Sequence, residues 1–188
     1  DNGDWRSTFG TMAMLNQPPQ DIESWIDFFS KAELPVLKKT LRQLEEARAR
    51  IDHISGRDIA TIVLQDPLMS IRVLAYIQPF RGRSLQNDIT TIAGAVMMSG
   101  IVPFFRRFTE LPTIEEKLKG QDPHALLGVL QIIRRAQRAA DYAQEWAIWR
   151  HDMNMEEIRI AALLHDLAET LVWCFAPKLG LAIHGQQV

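Results

Sequence analysis

Helix-start signals recur along this chain, and between them the apolar residues repeat at spacings of three and four. Aspartate followed by proline occurs at Asp66-Pro67 and again at Asp122-Pro123, where each aspartate can cap a helix whose first residue is the proline. No segment shows the strict alternation of apolar and polar residues that is typical of a half-buried strand. The sequence therefore predicts an all-α fold, a compact bundle of several helices joined by short connections.

Capping patterns place most of the individual helices. We predict that Asp21 caps a first helix and that Pro35 lies in the first turn of a second helix. Two pairs have the spacing of a capping box, Ser55 with Asp58 and Asn154 with Glu157.

The later helices follow from the same reasoning. We predict a helix capped by Asp88 and ended by Gly100, and a long helix from Pro123 to about Trp149. Apolar residues then continue at helical spacing from residue 160 to residue 175, which predicts a single central, buried helix that ends at Pro177.

Length and composition restrict the class of protein. The chain has 188 residues, enough for one domain with a real core, and 47% hydrophobic with 23% charged residues is typical of a soluble globular protein. Residues 1–20 lack periodicity and are predicted to be a disordered or extended tail before a helical domain at 21–188.

Charge and cysteine content exclude several functions. A net charge of -2 disfavours a nucleic-acid binder, and no apolar run approaches the roughly 18 residues that span a membrane. The single Cys174 excludes an internal disulfide and a cysteine-based zinc site, which indicates a cytoplasmic location.

The pair His165-Asp166 is the strongest candidate for chemistry, because it interrupts an otherwise apolar stretch and is therefore predicted to be buried. An imidazole and a carboxylate at neighbouring positions could ligate one metal cation. Alternatively, both side chains could be structural, bonded to the backbone or to polar neighbours. The pattern favours the structural interpretation, in which His165→Ala lowers the melting temperature.

Several segments carry a resemblance to known families. Residues 161–168, AALLHDLA, resemble the signature of the HD superfamily of metal-dependent phosphohydrolases. Residues 34–37 (LPVL), 58–60 (DIA), 65–74 (QDPLMSIRVL) and 92–100 resemble, in that order, the HDOD domain, the HD-related output domain.

The HDOD resemblance implies an all-helical, HD-like bundle that acts as an output or interaction module in bacterial signalling, without catalysis and without a cofactor. It implies a protein partner, which could include a second copy of the chain. It also implies that the family's domain continues further, so that residues 178–188 would be a shortened end.

The sequence departs from the active HD enzymes at the positions that matter most. Those enzymes have a histidine about one long helix before the His-Asp pair, and arginines occupy that stretch here, Arg134, Arg135 and Arg138. An arginine cannot ligate a cation. His184 could approach the pair, but His165, Asp166 and His184 would still form an incomplete metal site. A metal-dependent phosphohydrolase or phosphodiesterase is the alternative that this comparison disfavours.

Two further groups could bind ligands or partners. Arg134, Arg135 and Arg138 share a helical face that could bind an anion such as a cyclic dinucleotide, although a solvated face with Arg138 paired to Asp141 is the favoured interpretation. Trp146 and Trp149, with Tyr142, could anchor a partner, although core packing is the more common use of such residues.

Overall fold

The computed structural model describes residues 14–15, 17–77 and 91–186, and the helices it contains confirm the all-α prediction. In chain order they are α1 (Ile22–Lys31), α2 (Lys38–Arg48), α3 (Gly56–Val63), α4 (Pro67–Ile77), α5 (Ile92–Ser99), α6 (Ile101–Phe108), α7 (Ile114–Lys117), α8 (Pro123–Trp149), α9 (Met155–Leu164), α10 (Leu167–Phe175) and α11 (Pro177–Gln186). A short 3₁₀ turn covers Ile51–His53. Within the described ranges, no helix is both long and apolar enough to cross a membrane.

Most of the predicted caps are present. The Asp21 carboxylate accepts a hydrogen bond from the Ser24 N–H at 2.7 Å, and Ser55 and Asp58 form the expected capping box. Asp122 caps α8, which begins at Pro123 as predicted. These interactions join groups two or three residues apart, which explains why the sequence alone indicates them.

Three of the helix-start predictions need correction. Pro35 precedes α2 instead of lying in its first turn, because the Val36 backbone pairs in parallel with Thr113 and holds this segment extended. Asn154 begins α9 without a side-chain cap, so its capping box with Glu157 is wrong. The predicted cap Asp88 lies outside the described residues, and α5 begins with Thr91 as its cap.

The predicted single helix over residues 160–175 is two helices, α9 and α10, which separate at His165 and Asp166. The two segments serve different parts of the core. Ile160 of α9 packs in a first cluster formed mainly by α2 to α6, whereas Leu171 and Phe175 of α10 pack in a second cluster with α7 and α8. One straight helix could not direct its apolar side chains into both clusters.

The second cluster also takes in both ends of the described chain. Met14 packs against it, and the Leu15 N–H donates to the Phe175 carbonyl at 2.7 Å. Pro177 ends α10 as predicted but also begins α11, whose Leu181 packs on the same cluster. Residues 1–13 and 16 of the predicted tail lie outside the described residues.

Candidate functional site

Asp66 lies at the centre of a fully buried polar junction, and its side chain has no solvent exposure. One carboxylate oxygen accepts from the Leu37 N–H at 2.8 Å and from the Thr40 hydroxyl at 3.0 Å. The other accepts from the Leu68 and Met69 N–H groups, both at 3.0 Å. A single carboxylate therefore caps the start of α4 and also fixes the start of α2.

The electrostatics of Asp66 follow from this geometry. Burial raises the pKa of Asp66 because it penalises the charged form, and the hydrogen bonds from Leu37, Met69, Thr40 and Leu68 oppose that shift. All the neighbours that contact the carboxylate are donors, which is the arrangement that a buried anion needs.

Arg72 completes the same junction from the next turn of α4. Its guanidinium donates to the Leu34 carbonyl, and its Nη2 lies 3.9 Å from the Glu33 carboxylate. The Arg72 side chain is 7% exposed. We call residues 34–37, Asp66 and Arg72 the Asp66 junction. Its polar groups are directed at one another, which indicates that these residues hold the fold together.

The His-Asp pair lies in a different environment, which we call the His–Asp turn (Arg135, His165, Asp166 and Glu169). Arg135 Nε donates to Asp166 at 2.7 Å, and Arg135 Nη2 contacts Glu169 at 2.5 Å. His165 Nδ1 donates to the Ala162 carbonyl at 2.6 Å, and its Nε2 lies 3.1 Å from Asp166. The hydrogen bonds to Asp166 and Glu169 raise the pKa of Arg135.

The prediction that both members of this pair are buried is wrong for His165. The His165 side chain is 46% exposed and that of Arg135 is 50% exposed, although Asp166 is only 16% exposed. The chain turns between α9 and α10 at this point, so the pair lies at a corner of the bundle. The apolar neighbours in the sequence belong to the inward sides of the two helices that meet there.

The residues of the His–Asp turn do not fit a metal centre. Arg135 Nε donates to Asp166 Oδ2, the same carboxylate oxygen that lies 3.1 Å from His165 Nε2, so a guanidinium occupies the position between the pair where a cation would bind. Among the residues with described positions, no group of three or more histidine, cysteine, aspartate or glutamate side chains could hold a metal ion. His184 packs instead against Trp173, with ring centroids 6.2 Å apart.

The three arginines of α8 line a groove of about 660 Å³ between α8, α10 and α11, which we call the basic groove. Arg134, Arg135, Arg138, Leu127, Trp173 and His184 are the residues that define it. The predicted pairing of Arg138 with Asp141 is wrong, because Asp141 bonds Arg159 at 3.1 Å instead. Arg159 belongs to α9, which packs along this side of α8.

Two glycines shape the floor of the basic groove. A Cβ atom on Gly128 would lie 2.3 Å from the Trp173 ring, and one on Gly180 would lie 2.7 Å from it. The ring of Trp173 therefore lies between α8 and α11, and both helices have a glycine where any other residue would collide with the ring. This contact was not predicted, although glycine inside a helix is a signal of close packing.

The aromatic residues at the end of α8 are exposed, so the favoured prediction of core packing is wrong. Tyr142, Trp146 and Trp149 are 65%, 74% and 89% exposed. The inward side of this half of α8 is formed by alanines, Ala140 and Ala147, which allow α9 to approach closely. We call Tyr142, Trp146 and Trp149 the aromatic face; Tyr142 and Trp146 also border a cavity of about 420 Å³.

Comparison with protein families gives one match. A family model described as HDOD domain matches residues 34–186, a range that includes the Asp66 junction, the basic groove, the aromatic face and the His–Asp turn. Comparisons with curated proteins and with solved structures gave no match.

Proposed function

Because this chain belongs to the HDOD domain family, we propose that it is a non-catalytic domain of bacterial signal transduction that acts by binding a protein partner. The proposal has two parts, the absence of hydrolysis at the His–Asp turn and the presence of a protein-binding surface on α8. We also propose a cytoplasmic location, which is consistent with a single, fully buried and unpaired Cys174.

The aromatic face is the observation that carries the proposal. Its residues are separated by four and three positions, so they project from one side of α8. Aromatic side chains with such exposure are costly in water and are the residues that most often supply binding energy in interfaces. The adjoining cavity has Arg150 and Asp152 at its border, which provides the polar rim that such interfaces have.

The ion pairs of Arg135 support the non-catalytic part. In an active HD enzyme the aspartate of the pair would be available to a metal ion, whereas here its carboxylate is bonded to a guanidinium at 2.7 Å. A cation at the same oxygen would have to displace Arg135 and would be repelled by its charge.

The test of partner binding uses a photo-reactive amino acid at position 146 in living cells, with the same amino acid at the remote exposed Arg42 as control. We expect one defined partner to crosslink from position 146 only. The purified partner should then bind the wild-type chain and lose at least about tenfold in affinity for Trp146→Ser/Trp149→Ser. Because both tryptophans are exposed, the double variant should keep the wild-type circular dichroism spectrum.

Two results would contradict the proposal. Equal crosslinking from both positions would show that the aromatic face is not the contact surface. Hydrolysis of a generic phosphodiester in the presence of Mn²⁺, Fe²⁺ or Zn²⁺, abolished by Asp166→Ala, would show that the His–Asp turn is catalytic.

If the only crosslinked protein is a second copy of the chain, the chain forms a homodimer through the aromatic face. Sedimentation velocity should then show that the Trp146→Ser/Trp149→Ser variant is a monomer.

A further inference from the structure

We infer that the basic groove binds an organic phosphate of nucleotide size, with the phosphate at its arginine end and the organic part over its apolar end. This inference concerns a surface separate from the aromatic face and does not depend on it. It goes beyond the proposed function, because it assigns a small-molecule site to a domain proposed to act through protein contacts.

The charge of the groove favours an anion. Arg134, Arg135 and Arg138 line it, and Glu169 is the one acidic side chain among its lining residues. Glu169 is already bonded to Arg135. Within the described part of the chain, Arg134 and Arg138 are exposed and no carboxylate pairs with them. They are four residues apart on α8, so both guanidinium groups can reach one phosphate group.

The other end of the groove is apolar. Leu127, Leu181 and the Trp173 ring line it, and Leu127 is 53% exposed. The absence of a side chain at Gly128 leaves the Trp173 ring in contact with this end of the groove. An inorganic anion would use only the arginines, whereas a nucleotide would also cover the apolar residues. The groove therefore fits a ligand with an anionic end and a less polar body.

The dimensions agree with this class of ligand. The lining residues of α8 extend from His124 to Arg138, which corresponds to roughly 21 Å along the helix axis at 1.5 Å per residue. A volume of about 660 Å³ lies within the range of known small-molecule sites. Gln131 and His184 add hydrogen-bonding groups to the lining of the groove.

The experiment is a calorimetric titration of the full chain, at low and at moderate salt, with three probes: cyclic di-GMP, GMP and inorganic pyrophosphate. We expect saturable binding of at least one nucleotide and weaker binding of pyrophosphate. The relative affinities of GMP and cyclic di-GMP then distinguish a mononucleotide from a cyclic dinucleotide as the source of the phosphate.

Variants assign the two ends of the groove. Arg134→Gln/Arg138→Gln should weaken every probe by about tenfold or more, because each loses a charge-assisted contact. Leu127→Ser should weaken the nucleotide but leave pyrophosphate unchanged. Arg42→Gln removes another exposed arginine, on α2, and should leave all affinities unchanged. These side chains are exposed, so the variants should fold, as circular dichroism will verify.

Three results would overturn the inference. The first is the absence of saturable binding by any probe. The second is nucleotide binding that survives Arg134→Gln/Arg138→Gln with unchanged affinity. The third is equal affinity for pyrophosphate and nucleotide, which would leave the apolar end without a role.

Discussion

Asp66 and Asp166 have similar places in the sequence and very different places in the fold. Each stands directly before a helix, Asp66 before α4 and Asp166 before α10. Asp66 has no solvent exposure and accepts hydrogen bonds from four donors, whereas the side chain of Asp166 is 16% exposed and bonds the half-exposed Arg135. Asp66, which the sequence indicated only as a helix cap, is therefore the carboxylate that holds distant segments together.

The difference teaches which part of the HDOD resemblance is structural. The Asp66 junction joins two chain segments and could not lose its carboxylate without leaving several buried donors unpaired. The His–Asp turn joins α8 to α10 through contacts that water can partly replace. Substitutions at the two places should therefore separate clearly in stability.

The largest effect is expected for Asp66→Ala. Because it leaves the Leu37, Leu68 and Met69 N–H groups without their acceptor, we expect it to lower the free energy of unfolding by about 4 kcal/mol. Urea denaturation monitored by circular dichroism measures this. Asp21→Ala, which removes an exposed cap, serves as control. A loss for Asp66→Ala no larger than that of the control would show that the junction is not the structural centre.

The two arginines extend the comparison. Arg72→Met leaves the carbonyl of the partly buried Leu34 without this donor and should cost about 2 kcal/mol. Arg135→Met removes ion pairs that are half exposed and screened by water, and it should cost about 0.5 kcal/mol. Methionine keeps most of the apolar stem in both cases. Equal losses in the same denaturation experiment would contradict the distinction between the two sites.

Asp166→Ala should have an intermediate effect. Its carboxylate is largely buried, but its main partner Arg135 keeps its bond to Glu169 and can reach solvent when Asp166 is removed. We expect the free energy of unfolding to fall by about 1 kcal/mol. The shift of the urea midpoint measures this loss, provided that the dependence of the free energy on urea concentration is the same as in wild type. In the double variant Arg135→Met/Asp166→Ala the two losses should be less than additive, because both single variants break the same bond. Full additivity would mean that the two side chains act independently.

His165→Ala should change stability least, by less than about 0.5 kcal/mol, because the side chain is almost half exposed. The expectation from the sequence was that His165→Ala lowers the melting temperature, and the exposure of the side chain makes the expected fall small. Differential scanning calorimetry of the variant beside wild type provides the measurement. A fall in melting temperature comparable to that of Asp66→Ala would indicate that His165 is buried after all.

The pH dependence of stability should also separate two carboxylates, Asp66 and Asp58. Burial raises the pKa of Asp66, whereas the hydrogen bonds from the Ser55 hydroxyl and N–H lower the pKa of Asp58. A raised pKa in the folded state means that the stability from Asp66 is complete below its unfolded value of about 3.9 and decreases as the pH rises above it. For Asp58 the sign is opposite, and its contribution is lost as the pH falls below about 3.9.

Asp66→Asn and Asp58→Asn test these signs. The stability difference from wild type should shrink between pH 4 and pH 7 for Asp66→Asn and should grow from pH 3 to pH 5 for Asp58→Asn. Urea denaturation at each pH measures both differences. Slopes of the same sign for the two variants would show that burial does not dominate the titration of Asp66.

The sequence could indicate the caps and the helical periodicity because these depend on residues only a few positions apart. The all-α class, the starts of α1, α3, α4 and α8, and the HDOD resemblance were all predicted correctly. The break at His165-Asp166 was missed because apolar residues continue on both sides of it at helical spacing. Only the two separate clusters that those residues enter require the chain to turn there.

The candidate site depended more on the tertiary structure. The sequence showed arginines where the active enzymes have a metal ligand. Only the packing of α8 against α10 showed that Arg135, and not Arg134 or Arg138, bonds Asp166. The exposure of Trp146 and Trp149 followed from α9 packing on the alanine side of α8, which periodicity alone did not distinguish from a buried aromatic side.

The all-α class, the starts of several helices with their caps and the family could be inferred from the sequence, because local hydrogen bonds and spacing depend on residues that are close along the chain. Which ionisable groups are buried and which are exposed depended on the packing of distant segments. Asp66 meets Leu37 across 29 residues, and Arg135 meets Asp166 across 31. Burial is a property of such distant contacts, since the desolvation of a side chain depends on every segment that packs around it.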